Sequence, residues 1–283
     1  MSQGEKPLTF LGFDKKDWIY RNSIVDTDKE RIQCLSNALF VDPDDGFVWH
    51  LLGDKYGDSN EDKANYCWSK AAKSYEKRLE KLKEDAIKYH KDSSHLLFMD
   101  VESPNIKEFV TTIYYNLGSV YSNLEKNSLA VEAYKQSYKI DKENYDALYF
   151  LGVELRTCKK YELAKKAFEE HVQKTGDYHS HYMIGMILSD QNQISQSLRH
   201  FWDCIVNAGK DAESCFFRHL CYAMLGNYKG AKHNLVRAQK LEPENPKRCL
   251  DLIEFLEEYG KNENTMKYYR ILEKIHKKQK SIS

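Results

Sequence analysis

Three groups of residues in this chain have side chains suited to holding a metal ion or moving a proton. His179 and His181, in "YHSHY", bring two imidazoles to one short stretch. Cys215, His219 and Cys221 set two thiols around an imidazole, and Glu254, Glu257 and Glu258 form an acidic run. Spacing argues against each. Side chains at i and i+2 of a helix point to different faces, so His179 and His181 do not converge on one ion from a single helix. The Cys215–His219–Cys221 group lacks the ligand spacing of a zinc site, and the acidic run reads as a solvated helix face. There is no HExxH, GxSxG, phosphate-binding loop or CxxC. The expectation is a chain that is not an enzyme, with no catalytic residue, no metal and no cofactor.

The elements that carry these residues are legible from composition. Of 283 residues, 41% are hydrophobic and 30% charged, ordinary for a folded domain or a solenoid. Five prolines and thirteen glycines leave little punctuation, which favours helices joined by short turns. Lys plus Arg equals Asp plus Glu at 43 each, so the basic excess that meets phosphates is missing and no nucleic-acid partner is expected. The first residues, "MSQGEKPLTFLGFDKKDW", hold no apolar run of signal-peptide length, and no stretch is apolar enough to span a membrane. The seven cysteines are scattered and odd in number. They read as reduced, packed thiols, which predicts a cytoplasmic or nuclear protein.

A spacing recurs through the chain. Leu117-Gly118 is preceded by Tyr114 and followed by Tyr121, Ala130 and Tyr134. An offset of 34 residues leads to Leu151-Gly152, with Leu148, Leu155, Ala164 and Phe168 in the same places. Tyr222, Ala231, Leu235, Ala238 and Pro243 keep the second half of the spacing, and "WHLLGDKY" at 49–56 keeps the first, followed by Ala64, Trp68 and Ala71. At 178–211 the pattern is weaker: Gly185 holds the glycine position, but Ser197 replaces the alanine.

This pattern resembles the tetratricopeptide repeat (TPR). The resemblance implies an all-α fold, a right-handed α-α superhelix (TPR solenoid) of about six helical-hairpin repeats with a capping C-terminal helix pair. Repeats are placed at 46–79, 111–144, 145–177, 178–211 and 212–245. An N-terminal segment, 1–17, and a degenerate repeat, 18–45, precede them, and 246–280 is the capping pair. Glycine in helix A costs about 1 kcal/mol in propensity against alanine. It is expected where the partner helix passes too close for a side chain, with the helix B alanines making room from the other side. One hairpin cannot bury its apolar face alone, so neighbours stack and share a core.

Between the first two full repeats the phase is lost, over 80–110. A helix starting near Glu61 continues an apolar stripe through Tyr75, Leu79, Leu82, Ala86 and Tyr89, towards Lys91. A loop follows that holds four consecutive apolar residues, Leu96, Leu97, Phe98 and Met99. They either seal the gap in the solenoid or dock a partner.

The resemblance also implies where a ligand sits. Counting from the first residue of each repeat, positions 2, 5, 9 and 12 of helix A face the concave groove. Position 5 reads Tyr115, Tyr149, Tyr182 and Phe216, one aromatic per repeat. Ser119, Arg156 and Met186 are further groove residues, and Glu254 and Glu257 make its far end acidic. These rings either contact a bound segment or fill gaps between successive A helices. One TPR subclass grips the C-terminal carboxylates of heat-shock chaperones with Lys, Asn and Arg at set positions. Here those positions hold His50, Asp54, Asn116, Asp146 and Phe150, and only Asn116 fits, so a chaperone tail is not expected. RNA-binding helical repeats of similar length lack the Leu-Gly and alanine signature. The function expected is a protein-interaction scaffold or adaptor that binds a peptide or helix in the groove. The alternative is a structural subunit of a larger assembly, held by its convex face, its ends and the 80–110 insertion.

Overall fold

A computed structural model of the chain describes residues 13–57, 59–90 and 104–242. Leu96, Leu97, Phe98, Met99, Glu254, Glu257 and the capping pair at 246–280 lie outside the described residues. The chain divides into two compact units, Met1–Ala164 and Lys165–Ser283. Among the described residues every element is an α-helix.

The first unit holds α1 (Lys15–Ile24), α2 (Asp28–Val41), α3 (Gly46–Gly57), α4 (Glu61–His90), α5 (Pro104–Asn123), α6 (Asn127–Ile140) and α7 (Tyr145–Thr157). The unit boundary falls within α8 (Tyr161–Thr175). The second unit continues with α9 (Tyr178–Asp190), α10 (Ile194–Asn207), α11 (Ala212–Met224) and α12 (Tyr228–Leu241). Consecutive helices pair as hairpins: α1 with α2, α3 with α4, α5 with α6, α9 with α10, α11 with α12.

Local chemistry starts and stops these helices at repeating places. Asp45, Asn144, Asp177 and Asp211 each accept a hydrogen bond from the backbone N–H three residues on, at Val48, Ala147, Ser180 and Ser214. Such caps satisfy a donor that the first helical turn leaves open. Four A helices, α5, α7, α9 and α11, each end on a left-handed residue: Glu125 (φ 57°), Lys159 (φ 57°), Asn192 (φ 61°) and Gly226 (φ 72°). The following N–H bonds back to the carbonyl five residues earlier, from Lys126 to Tyr121, Lys160 to Leu155, Gln193 to Leu188 and Asn227 to Tyr222, each at 2.8 Å. This is the Schellman closure. Only one of the four turns uses the glycine that this backbone favours.

The glycines of helix A explain how tightly each hairpin closes. A Cβ on Gly53 would stand 2.4 Å from the ring of Trp68, on Gly118 2.7 Å from the ring of Tyr134, and on Gly185 2.6 Å from the ring of Phe201. The expectation of a close helix approach needs one refinement. What occupies the space is the large aromatic of helix B, whose ring rests on the bare backbone of helix A. The B-helix alanines Ala64, Ala130, Ala164 and Ala231 are fully buried, and Gly152 is buried too. In the weak repeat, Ser197 is buried at the alanine position and its Oγ donates to the carbonyl of Gly185 at 2.9 Å. The hydroxyl is thereby satisfied inside the hairpin.

The 30-residue α4 outruns the 14-residue α6, α10 and α12. Its extension packs on α5: Tyr75 and Leu79 are buried, the Tyr121 hydroxyl donates to the Glu76 carboxylate, and the Arg78 guanidinium lies 4.5 Å from the Phe109 ring centre. Cys34, Cys67, Cys204, Cys215 and Cys221 are free thiols buried in the two cores, and Cys158 is a half-buried one. Burial pushes the Cys67 thiol up to about 11. Among the described residues no helix is long and apolar enough to cross a membrane.

Gly118→Ala is expected to lower stability. Alanine gains about 1 kcal/mol in helix propensity, but the buried Tyr134 ring must be displaced, which costs about 1–3 kcal/mol. Tyr134→Leu in the same chain should recover part of that loss, and a double-mutant cycle by urea unfolding measures the coupling. Additive effects would show that the ring does not press on Gly118.

Candidate partner-binding surface

In the first unit, side chains of successive A helices meet in register. His50 Nε2 of α3 lies 3.4 Å from Ser119 Oγ of α5, and the Asn123 amide of α5 donates to Asp54 of α3 at 3.3 Å. Asp54 also accepts from the Trp68 indole at 3.0 Å. Between α5 and α7, Ser122 Oγ donates to Glu154 at 2.6 Å. Burial raises the Glu154 carboxyl above its usual range, and the Ser122 hydroxyl opposes the rise. Burial likewise lowers His50, against the pull of Asp54. His50, Ser119 and Asp54 stand at repeat positions expected to line the groove, and here all three join one repeat to the next.

The aromatic residues divide between the units. Tyr115 and Tyr149, both half-buried, form a four-ring cluster with Tyr134 and Phe150. Phe150 stacks on Tyr134 at 5.7 Å and meets Tyr115 and Tyr149 edge-on at 6.1 and 5.5 Å, while leaving 36% of its own surface to solvent. Arg156 is half-buried near the end of α7.

In the second unit the rings sit deeper. Tyr182 keeps only 9% of its surface exposed and Met186 only 4%, both inside the core with Phe201, Cys204 and Leu220. They are not presented to solvent, because Phe217 from α11 packs edge-on against Tyr182 at 5.3 Å. Phe216 is half-buried beside Phe217 and His219. Sequence reasoning passed over Phe217, and it took Phe150 only as a misfit in a carboxylate clamp. Both stand at position 6, and each covers the position-5 tyrosine 35 residues earlier, Phe150 on Tyr115 and Phe217 on Tyr182. That recurrence was the available signal.

The histidines separate as their spacing requires. His179 Nδ1 lies 2.7 Å from Asp177, and its Nε2 lies 3.5 Å from Glu213. Burial opposes a charge on His179, but the bond to Asp177 and the pull of Glu213 outweigh it and raise its pKa. His181 turns to α10 instead. Cys215, His219 and Cys221 are buried separately: His219 Nδ1 donates to the Ala231 carbonyl at 2.8 Å, and the Cys215 thiol reaches the Lys210 carbonyl at 3.8 Å. His219 occupies the glycine position of the last described hairpin, and Leu235 stands where the other hairpins place a ring. A larger residue on helix A is thus paired with a smaller one on helix B. Burial drives His219 down to about 4, the bond to Ala231 opposing the shift.

Repeated caps, repeated left-handed turns and a ring-on-glycine contact define a protein built from helical-hairpin repeats. A family model agrees over part of the chain: the tetratricopeptide repeat matches residues 111–144 and 145–172. No curated protein matches it. Among solved structures, a MamA protein is 16% identical over 68% of this chain and 91% of its own, with a TM-score of 0.45. PilF of Pseudomonas aeruginosa is 13% identical over 85% of this chain and 94% of its own, with a TM-score of 0.45. YrrB, described as a TPR protein with an unusual peptide-binding site, is 19% identical over 77% of this chain and 96% of its own, with a TM-score of 0.38.

The depressed pKa of His219 has a consequence for stability. Above pH 6.5 the imidazole is neutral in folded and unfolded chains alike. As pH falls from 6.5 towards 4 the unfolded chain takes up a proton that the folded chain refuses, so stability falls, by about 3 kcal/mol across that window. Below the folded value the loss stops growing. Urea unfolding of the second unit, compared between neutral pH and the bottom of this window, should show the decline, and His219→Leu should flatten it.

Proposed function

We propose that this chain is a tetratricopeptide-repeat protein-interaction scaffold whose first unit binds a peptide or helical segment over α5 and α7. The observation that carries this reading is the four-ring cluster of Tyr115, Tyr134, Tyr149 and Phe150, in which Tyr134 is buried, Tyr115 and Tyr149 are half-buried and Phe150 is open to solvent. Rings already held by neighbouring rings offer contact area without much loss of side-chain freedom on binding. Ser119 and Arg156 flank the cluster as polar groups on the same two helices. The amphipathic segment that suits it carries apolar side chains at a helical or extended spacing that meets the two position-5 tyrosines in turn. In the second unit Tyr182 and Met186 serve the core, and Phe216 is the position-5 residue that stays half-buried.

A second reading, a subunit fixed in a larger assembly, is supported by α10. Ile194, Leu198, Trp202 and Val206 recur every four residues along it, and all four are exposed. A run of large apolar side chains on one helical face is the kind of patch that association covers.

The two readings separate by experiment. Once a partner has been captured on the full chain, Phe150→Ala and Tyr149→Ala should weaken its affinity by more than about 1 kcal/mol, with a smaller loss of melting temperature than Tyr182→Ala. Unchanged affinity together with a large melting loss would assign the rings to packing between A helices. Trp202→Ser would then be expected to release the chain from its assembly.

A further inference from the structure

Among the described residues, one group of three side chains offers ligand atoms that converge as a metal site requires. His181 on α9, with His200 and Asp203 on α10, places one nitrogen or oxygen from each residue within 4.8 Å of the other two. We propose that these three residues bind one zinc ion across the α9–α10 hairpin.

The geometry is more specific than proximity. His181 Nδ1 and His200 Nδ1 lie 3.4 Å apart. An N–H···N hydrogen bond prefers a separation nearer to about 3 Å. Two imidazole nitrogens each about 2.05 Å from a tetrahedral zinc stand about 3.3 Å apart, so the pair is spaced for a shared ion. His200 and Asp203 are three residues apart, which puts them on one face of α10, and the hairpin brings His181 to that face from the other helix. The Asp203 carboxylate stands within 4.8 Å of both histidines, and rotation of its side chain would bring it to the ion. All three residues are half-buried, which leaves an entry path while excluding part of the competing water.

The donor set selects the ion. Two imidazoles and one carboxylate suit zinc, copper(II) or nickel(II), whereas magnesium and calcium prefer oxygen throughout. Three protein ligands leave a fourth position for water or for a donor from a partner. The ion would bridge the hairpin that carries Ser197 where its neighbours carry alanine. No short motif announces the site. His181 and His200 are 19 residues apart, and only the register of α9 against α10 joins them.

The test uses the full chain freed of metal with a chelator. Isothermal titration with zinc at neutral pH should show saturable one-to-one binding, and zinc should raise the melting temperature, whereas magnesium should do neither. His181→Ala, His200→Ala and Asp203→Asn should each weaken binding by about tenfold or more. Asp203→Asn preserves side-chain shape, so its result stands even if an alanine variant folds poorly. Cobalt(II) gives an independent readout: tetrahedral visible bands without thiolate charge-transfer absorption are expected. Absent saturable binding, affinity unchanged in Asp203→Asn, or a thiolate band that places the ion on cysteine would each overturn the proposal. Loss of the zinc site would leave the scaffold reading of the first unit untouched, since the two rest on different residues.

Discussion

In three of the described hairpins a ring of helix B rests on helix A at a residue that has no side chain: Trp68 on Gly53, Tyr134 on Gly118, Phe201 on Gly185. The contact sets how near the two helices lie, and other features follow from that separation. Small residues must stand opposite, and Ala64, Ala130 and Ser197 do, all buried. Residues near the glycine are then left to face the neighbouring repeats, as Ser119 does towards α3 and Ser122 towards α7. A ring of fixed orientation also gives the neighbouring helix something to pack on, and Phe150 stacks on Tyr134 for that reason. Packing within a hairpin and packing between hairpins are therefore one arrangement.

Where the pattern departs from glycine and ring, a paired change keeps the volume. His219 at the glycine position goes with Leu235 at the ring position, and the imidazole donates to Ala231 on the opposite helix. Ser197 fits beside Gly185 because its hydroxyl finds the glycine carbonyl. Both substitutions exchange apolar closeness for a buried hydrogen bond, which is stabilising only while its geometry is kept. Each therefore makes its hairpin more demanding about register than an alanine or a glycine would.

The architecture was legible because it depends on residues at fixed offsets along one chain. Leu117-Gly118, Ala130 and Tyr134 announce a hairpin, and their return 34 residues later announces a stack. The ring positions Tyr115 and Tyr149 were legible as recurrent, but their burial was not. Whether a position-5 ring is covered depends on the residue one repeat later, and Phe217 buries Tyr182 more fully than Phe150 buries Tyr115. The partnership of His181 with His200 and Asp203 was hidden for a related reason. Within-helix spacing correctly separates His179 from His181, but it carries no information on what the facing helix supplies.

The buried thiols give this protein an internal clock. Cys34 and Cys67 sit in the core of the first unit, and Cys204, Cys215 and Cys221 in that of the second. A thiol buried out of reach does not exchange with a disulfide reagent until its surroundings open. The rate at which each cysteine is labelled under native conditions therefore counts the openings of its own neighbourhood, without denaturant and without an introduced probe. Five such reporters, divided between two units, distinguish a chain that opens as a whole from one that frays hairpin by hairpin.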